Sequence, residues 1–90
     1  MKEEIIEYYS DFELMFIDDS DMDDAIVGVG SRFGISEPII VYDKDKIIEI
    51  YMERDEMTYE EALEFFEFNV IGAWMGDKTP MFIEMKFNLK

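Results

Sequence analysis

A helix begins at Thr58. The Thr58 hydroxyl can accept from the backbone amide of Glu61 while the Glu61 carboxylate reaches back to the amide of Thr58, a capping box that satisfies two otherwise orphaned donors. From there, at 100° per residue, Tyr59, Ala62, Leu63, Phe66, Val70 and Ala73 fall on one stripe, which Phe65 and Phe68 widen. The spacing predicts a helix over 59–74 that forms the main core element, ended by the turn chemistry of Gly76-Asp77-Lys78-Thr79-Pro80.

Other elements follow from the same rules. Asp43 is a good N-cap for a helix over 44–54, with Ile47, Ile50, Tyr51 and Arg54 on one side and Lys46, Glu49 and Glu53 on the other. Ile5, Tyr9, Phe12 and Phe16 recur at helical spacing, which gives a helix over 2–9. Residues 12–17 stay ambiguous, because Ser10 and Glu13 have capping-box spacing while Phe12, Leu14 and Phe16 alternate as in a strand. Strands are expected over 25–29, over 38–42 with Pro38 at the first residue, and over 81–88. In the last of these, Met81, Ile83, Met85, Phe87 and Leu89 alternate with Phe82, Glu84, Lys86 and Asn88. The glycines of Gly28-Val29-Gly30-Ser31-Arg32-Phe33-Gly34 predict a turn. The result is a small two-layer α+β domain over 1–90, two or three strands with helices on one face.

Composition limits the partners. Apolar residues make up 49% of the chain, enough for a core despite the charge. Against 8 Lys and Arg stand 23 Asp and Glu, a formal net charge of −15 with no His to buffer it. That field opposes direct nucleic-acid binding, which relies on cations neutralising phosphates, and opposes anionic membrane surfaces. No apolar run approaches the roughly 18 residues of a spanning helix. Without Cys there is no disulfide or thiol nucleophile, and Met1-Lys2-Glu3-Glu4 lacks the apolar core of a signal peptide, so a cytoplasmic location is expected.

Catalytic signals are few. Lacking His and Cys, the chain has none of the usual nucleophile–base pairs, and its many carboxylates single out no pair, so the expectation is a protein without enzymatic activity or cofactor. Gly28, Gly30 and Gly34 miss the phosphate-loop spacing by one residue and precede a strand instead of a helix. Asp19, Asp21 and Asp23 open like a calcium loop, but position six is Asp24 where glycine is required and position twelve is Gly30 where a glutamate is required. Weak divalent-metal binding is the third-ranked function; a solvated acidic loop over 18–24 is the plainer expectation.

The acidic pattern on the last helix is more specific. Glu60, Glu64 and Glu67 project at about 100°, 140° and 80°, one ridge with no Lys or Arg on its helix. Tertiary pairing with Lys44, Lys46, Lys78 or Lys86 would make it structural; unpaired, such a ridge could imitate phosphates and occupy a basic groove. The candidate partner-binding face is therefore Glu60, Glu64 and Glu67 together with Asp18, Asp19, Asp21, Asp23 and Asp24. Phe65, Phe68 and Ile71 exceed what one core stripe needs, which makes a homodimer the alternative.

Val41-Tyr42-Asp43, Lys46-Ile47-Ile48-Glu49, Met57-Thr58-Tyr59-Glu60-Glu61-Ala62, Phe66-Glu67-Phe68-Asn69-Val70 and Gly72-Ala73-Trp74-Met75-Gly76, closing on Thr79-Pro80 and Phe82, form a joint pattern over about 25–84. It resembles a group of small proteins of bacteriophages and bacteria that has no assigned activity. The resemblance implies a phage-associated accessory protein that binds host components, with the host cytoplasm as its location; the acidic ridge adds a basic nucleic-acid-binding protein as the partner class. It supplies no site residues.

Overall fold

A computed structural model of the chain describes residues 1–71, 76 and 78–85, the side chains of 35, 36 and 71 excepted. The fold is a small α+β structure in the order α1 (Lys2–Tyr8), a 3-10 helix (Ser20–Ala25), β1 (Ile26–Arg32), β2 (Ile35–Asp43), α2 (Lys44–Arg54), α3 (Tyr59–Phe66), a π-helical segment (Glu67–Ile71) and β3 (Met81–Ile83). The strands form one mixed sheet in the order β1-β2-β3. β1 and β2 make an antiparallel hairpin, and β3 returns parallel to β2 with Tyr42 opposite Phe82.

Local signals account for the helix starts. Asp43 caps α2 by accepting from the amides of Asp45 and Lys46, at 3.0 and 3.2 Å. Thr58 and Glu61 form the expected reciprocal box, with Glu61 accepting from the Thr58 amide at 2.9 Å and the Thr58 hydroxyl from the Glu61 amide at 3.2 Å. α3 then leaves α-helical geometry at Glu67, so the expected helix over 59–74 is α-helical only to Phe66; positions 72–74 lie outside the described residues.

The acidic run departs most from expectation. Ser20–Ala25 is a 3-10 helix in place of a solvated loop, capped by the Asp19 carboxylate accepting from the Asp21 amide at 3.1 Å. Its three-residue repeat places Met22 and Ala25 on the same side, and both are buried. Ala25 thus belongs to this helix, and β1 starts one residue later.

The glycines are also redistributed. Gly28 and Gly30 lie within β1, and the turn is confined to Phe33-Gly34, where Gly34 takes a φ of 83°. Gly30 allows β2 to approach: a Cβ there would stand 3.1 Å from Val41 Cγ2. Pro38 lies inside β2 and does not open it. β3 reaches only Val41 to Asp43, so among the described residues one side of β2 carries no ladder at Pro38, and the β1 ladder is itself irregular between the Gly30 and Arg32 pairs.

One apolar core joins Ile5, Met22, Ile26, Ile40, Tyr42, Ile47, Ile48, Tyr51, Ala62 and Phe66. On α2 it takes in Ile48, which the expected stripe omitted, while Ile50 is only half-buried. β3 is shorter than expected and its phase is reversed. Phe82 faces the core, stacked on Tyr42 at 5.8 Å and edge-on to Phe66 at 5.1 Å, whereas Met81 and Met85 are exposed. Positions 86–88 lie outside the described residues.

Residues 12–17 form neither helix nor strand. They run as an irregular strap across the core, fixed where the Ile17 amide donates to the Tyr42 hydroxyl at 3.0 Å. Tyr42→Phe is expected to cost about 1–2 kcal/mol in urea unfolding, because the Ile17 amide loses its acceptor. Burial pushes the Tyr42 hydroxyl above its ordinary pKa, the bond from Ile17 pulls the other way, and the nearby Asp23 charge adds to the rise. A group raised in the folded state stabilises fully below its unfolded value, about pH 10, and that stability is lost as pH rises through the raised value. Tyr51 is raised by burial as well, so the Phe variant should lose less of its stability above pH 10 than the wild type without becoming insensitive.

Candidate functional site

α3 positions the acidic ridge. Its buried side carries Ala62 and Phe66, with Leu63 and Val70 half-buried, and this orientation turns Glu60, Glu64 and Glu67 into solvent. Among the described residues none of these three glutamate carboxylates has an ion-pair or hydrogen-bond partner. The lysines that could have neutralised them are engaged elsewhere: Lys44 with Glu84 at 3.3 Å, Lys46 with Glu49 at 3.1 Å, and Lys78 with Glu13 and Glu37 at 3.4 and 3.3 Å. Lys86 lies outside the described residues.

The aspartates behave differently. Arg54, at the last turn of α2, places Nη1 2.7 Å from Asp19 and 3.0 Å from Asp21, while its Nε and Nη2 grip both Asp55 oxygens at 3.0 and 2.8 Å. Asp55 first, then Asp19 and Asp21, hold the guanidinium further above its already high pKa, and Arg54 in turn holds Asp55 below the usual carboxylate value. A depressed carboxylate stabilises above its unfolded pKa, so this contribution is present at neutral pH and lost in acid. Asp23 pairs with Lys2 at 3.3 Å. Asp18 and Asp24 are exposed, and among the described residues neither carboxylate has an ion-pair partner. Among the described residues, no three acidic side chains converge in a metal-holding group.

Ridge and acidic run occupy different sides of α3. A cleft of about 690 Å³ is lined by Asp18 and Asp19 on one wall and by Phe65, Asn69 and Val70 on another. Phe65 projects about 130° round the helix from the mean direction of Glu60, Glu64 and Glu67. The eight acidic residues therefore do not form one continuous face; the ridge stands alone, on the flank away from the acidic run. Phe65 also contacts Tyr51 of α2, ring centres 5.0 Å apart, so the flank facing α2 is that of Phe65 and not that of the ridge.

Several site features escape sequence reasoning. The cleft depends on Leu14, Phe16 and Ile17 of the strap, whose local pattern is ambiguous. Lys2 lies with its ammonium 4.7 Å above the Phe16 ring, joining α1 to that strap. Phe68 is 76% exposed and Phe65 38%, so these two rings meet solvent and do not widen the buried stripe as expected; the side chain of Ile71 lies outside those described. Among the described residues no helix is long and apolar enough to cross a membrane. Comparison with protein-family models, curated proteins and solved structures found no match.

Proposed function

We propose that this protein is a non-enzymatic binding module that presents Glu60, Glu64 and Glu67 to a basic surface of a protein partner, as a partial mimic of nucleic acid. The observation that carries the reading is the ridge's isolation: three exposed carboxylates on one helix flank, with Lys44, Lys46 and Lys78 paired elsewhere. Like charges at this spacing weaken a helix by a few tenths of a kcal/mol each, a cost that no ion pair among the described residues offsets. Charge density sets the kind of mimicry. Over seven residues the ridge presents a carboxylate about every 5 Å, against about 3.4 Å per phosphate along one strand and 1.7 Å along a duplex axis. It therefore suits a groove that follows a single backbone. The resemblance to phage and bacterial proteins favours a host protein as the partner.

The test is affinity capture from bacterial extract with wild type, with the E60Q/E64Q/E67Q variant, and with an equally neutralised control, E3Q/E7Q/D11N. The ridge variant is expected to lose proteins that the wild type and the control retain at low salt and release at high salt, because exposed charge pairs are screened. Equal recovery by all three would sink the proposal. Exposed Phe65 and Phe68 favour self-association as a second reading, which a salt-independent dimer in light scattering would support.

A further inference from the structure

The cleft beside α3 has a definite chemistry. Its floor and walls are largely apolar, from Leu14, Phe16, Phe65, Val70 and Phe82, and each of these is left partly exposed although all but Phe65 pack against the core. About 690 Å³ lies within the usual range of small-ligand pockets, roughly 300–1,000 Å³, and exceeds what one inserted side chain would fill. The wall bearing Asn69 and Val70 is the π-helical segment, a geometry frequent at functional sites.

Charge selects among apolar ligands. Of the charged groups on the cleft lining, Lys2 is paired with Asp23, and Asp19 is paired with Arg54. Asp18 remains, exposed and without an ion pair among the described residues. A ligand thus meets one unopposed negative charge within a chain of net charge −15, which disfavours anions. Lys2, itself on the lining, lies with Nζ 4.7 Å over the Phe16 ring, a cation–π contact, and its charge is met by Asp23.

We propose that this cleft binds an apolar amine, with its hydrocarbon or aryl body against Phe65, Val70 and Phe82 and its ammonium beside Asp18. The site is separate from the glutamate ridge, and its occupancy does not depend on the ridge binding a partner.

Three probes of one shape separate body from head group: phenylbutylammonium, phenylbutanol and phenylbutyrate, titrated in an amide-resolved NMR experiment at about 0.15 M salt, where the Debye length is about 8 Å. The amine is expected to bind about 5-fold more tightly than the alcohol, the worth of one exposed charge pair, and the acid more weakly than either. Shifts should centre on Ile17, Phe65 and Val70. Asp18→Asn should bring the amine to the level of the alcohol and leave the alcohol unchanged, while E60Q/E64Q/E67Q leaves the ratio as in wild type. Asn69→Trp, a change at an exposed lining position, should weaken amine and alcohol together by at least 10-fold, with thermal unfolding confirming that each variant is folded. Should Asn69→Trp not fold, the wild-type shift map locates the site. Absence of binding at about 10 mM, acid binding as tightly as amine, shifts confined to other residues, or an equal loss in the ridge variant and Asp18→Asn would each overturn the proposal.

Discussion

Phe66→Ala is expected to destabilise the protein by about 3–5 kcal/mol, the usual cost of removing a buried phenyl ring when the surrounding structure cannot collapse into the cavity. Phe66 is fully buried, its ring edge-on to Phe82 at 5.1 Å and covered by the Lys44 ammonium at 5.9 Å. The substitution therefore removes the ring through which α3 meets β3 and the start of α2. For a chain of 90 residues a total stability of about 5–13 kcal/mol is ordinary, so the variant would sit near the unfolding threshold. Phe66→Leu, closer in volume, is expected to lose roughly 1–1.5 kcal/mol. Denaturant unfolding followed by far-UV circular dichroism measures both, and a loss under 1 kcal/mol for the alanine variant would show that Phe66 is not the keystone of the core.

The second large effect lies in the most acidic part of the chain. Met22→Ala is expected to cost about 2–5 kcal/mol, since the side chain is 0% exposed within the main core. Asp24→Asn, two residues away on an exposed side chain, should change stability by no more than about 0.5 kcal/mol. The pair of measurements distinguishes a 3-10 helix pinned by one methionine from a solvated loop, in which both substitutions would be nearly silent. Met22→Leu, which keeps the volume, should retain most of the stability, losing under about 1.5 kcal/mol.

How far the chain discloses its own structure depends on distance along it. Thr58 and Glu61, or Asp43 and the amides it caps, are separated by three residues or fewer, and the helices they start were legible at once. The acidic ridge was equally legible, since a helix start and a 3.6-residue repeat fix its direction. Its isolation was not, because that depends on Lys44 choosing Glu84 and Lys78 choosing Glu13 and Glu37, all far away in sequence. Met22 was hidden by its neighbours. Five aspartates in seven residues dominate any averaged property, and the only local sign was the three-residue interval to Ala25, too short to count as a period. The reversed phase of β3 has a related cause: Met81, Phe82 and Ile83 are all apolar, so alternation could not select the inward side chain until Tyr42 and Phe66 presented rings for Phe82 to meet.

The parallel return of β3 also sets the order of assembly. Val41 pairs with Met81 across a separation of forty residues, whereas the β1-β2 hairpin closes through Phe33-Gly34 and the two later helices form on their own caps. Loop-closure entropy makes the distant pairing the last to become favourable, once α2 and α3 have docked and shortened the effective path. During synthesis the same delay is imposed by direction, because Phe82 emerges only after every other core ring has been made. Until it arrives, Tyr42 and Phe66 lack the ring that stands between them, so the arrival of β3 governs whether a nascent chain closes or remains open to wrong associations.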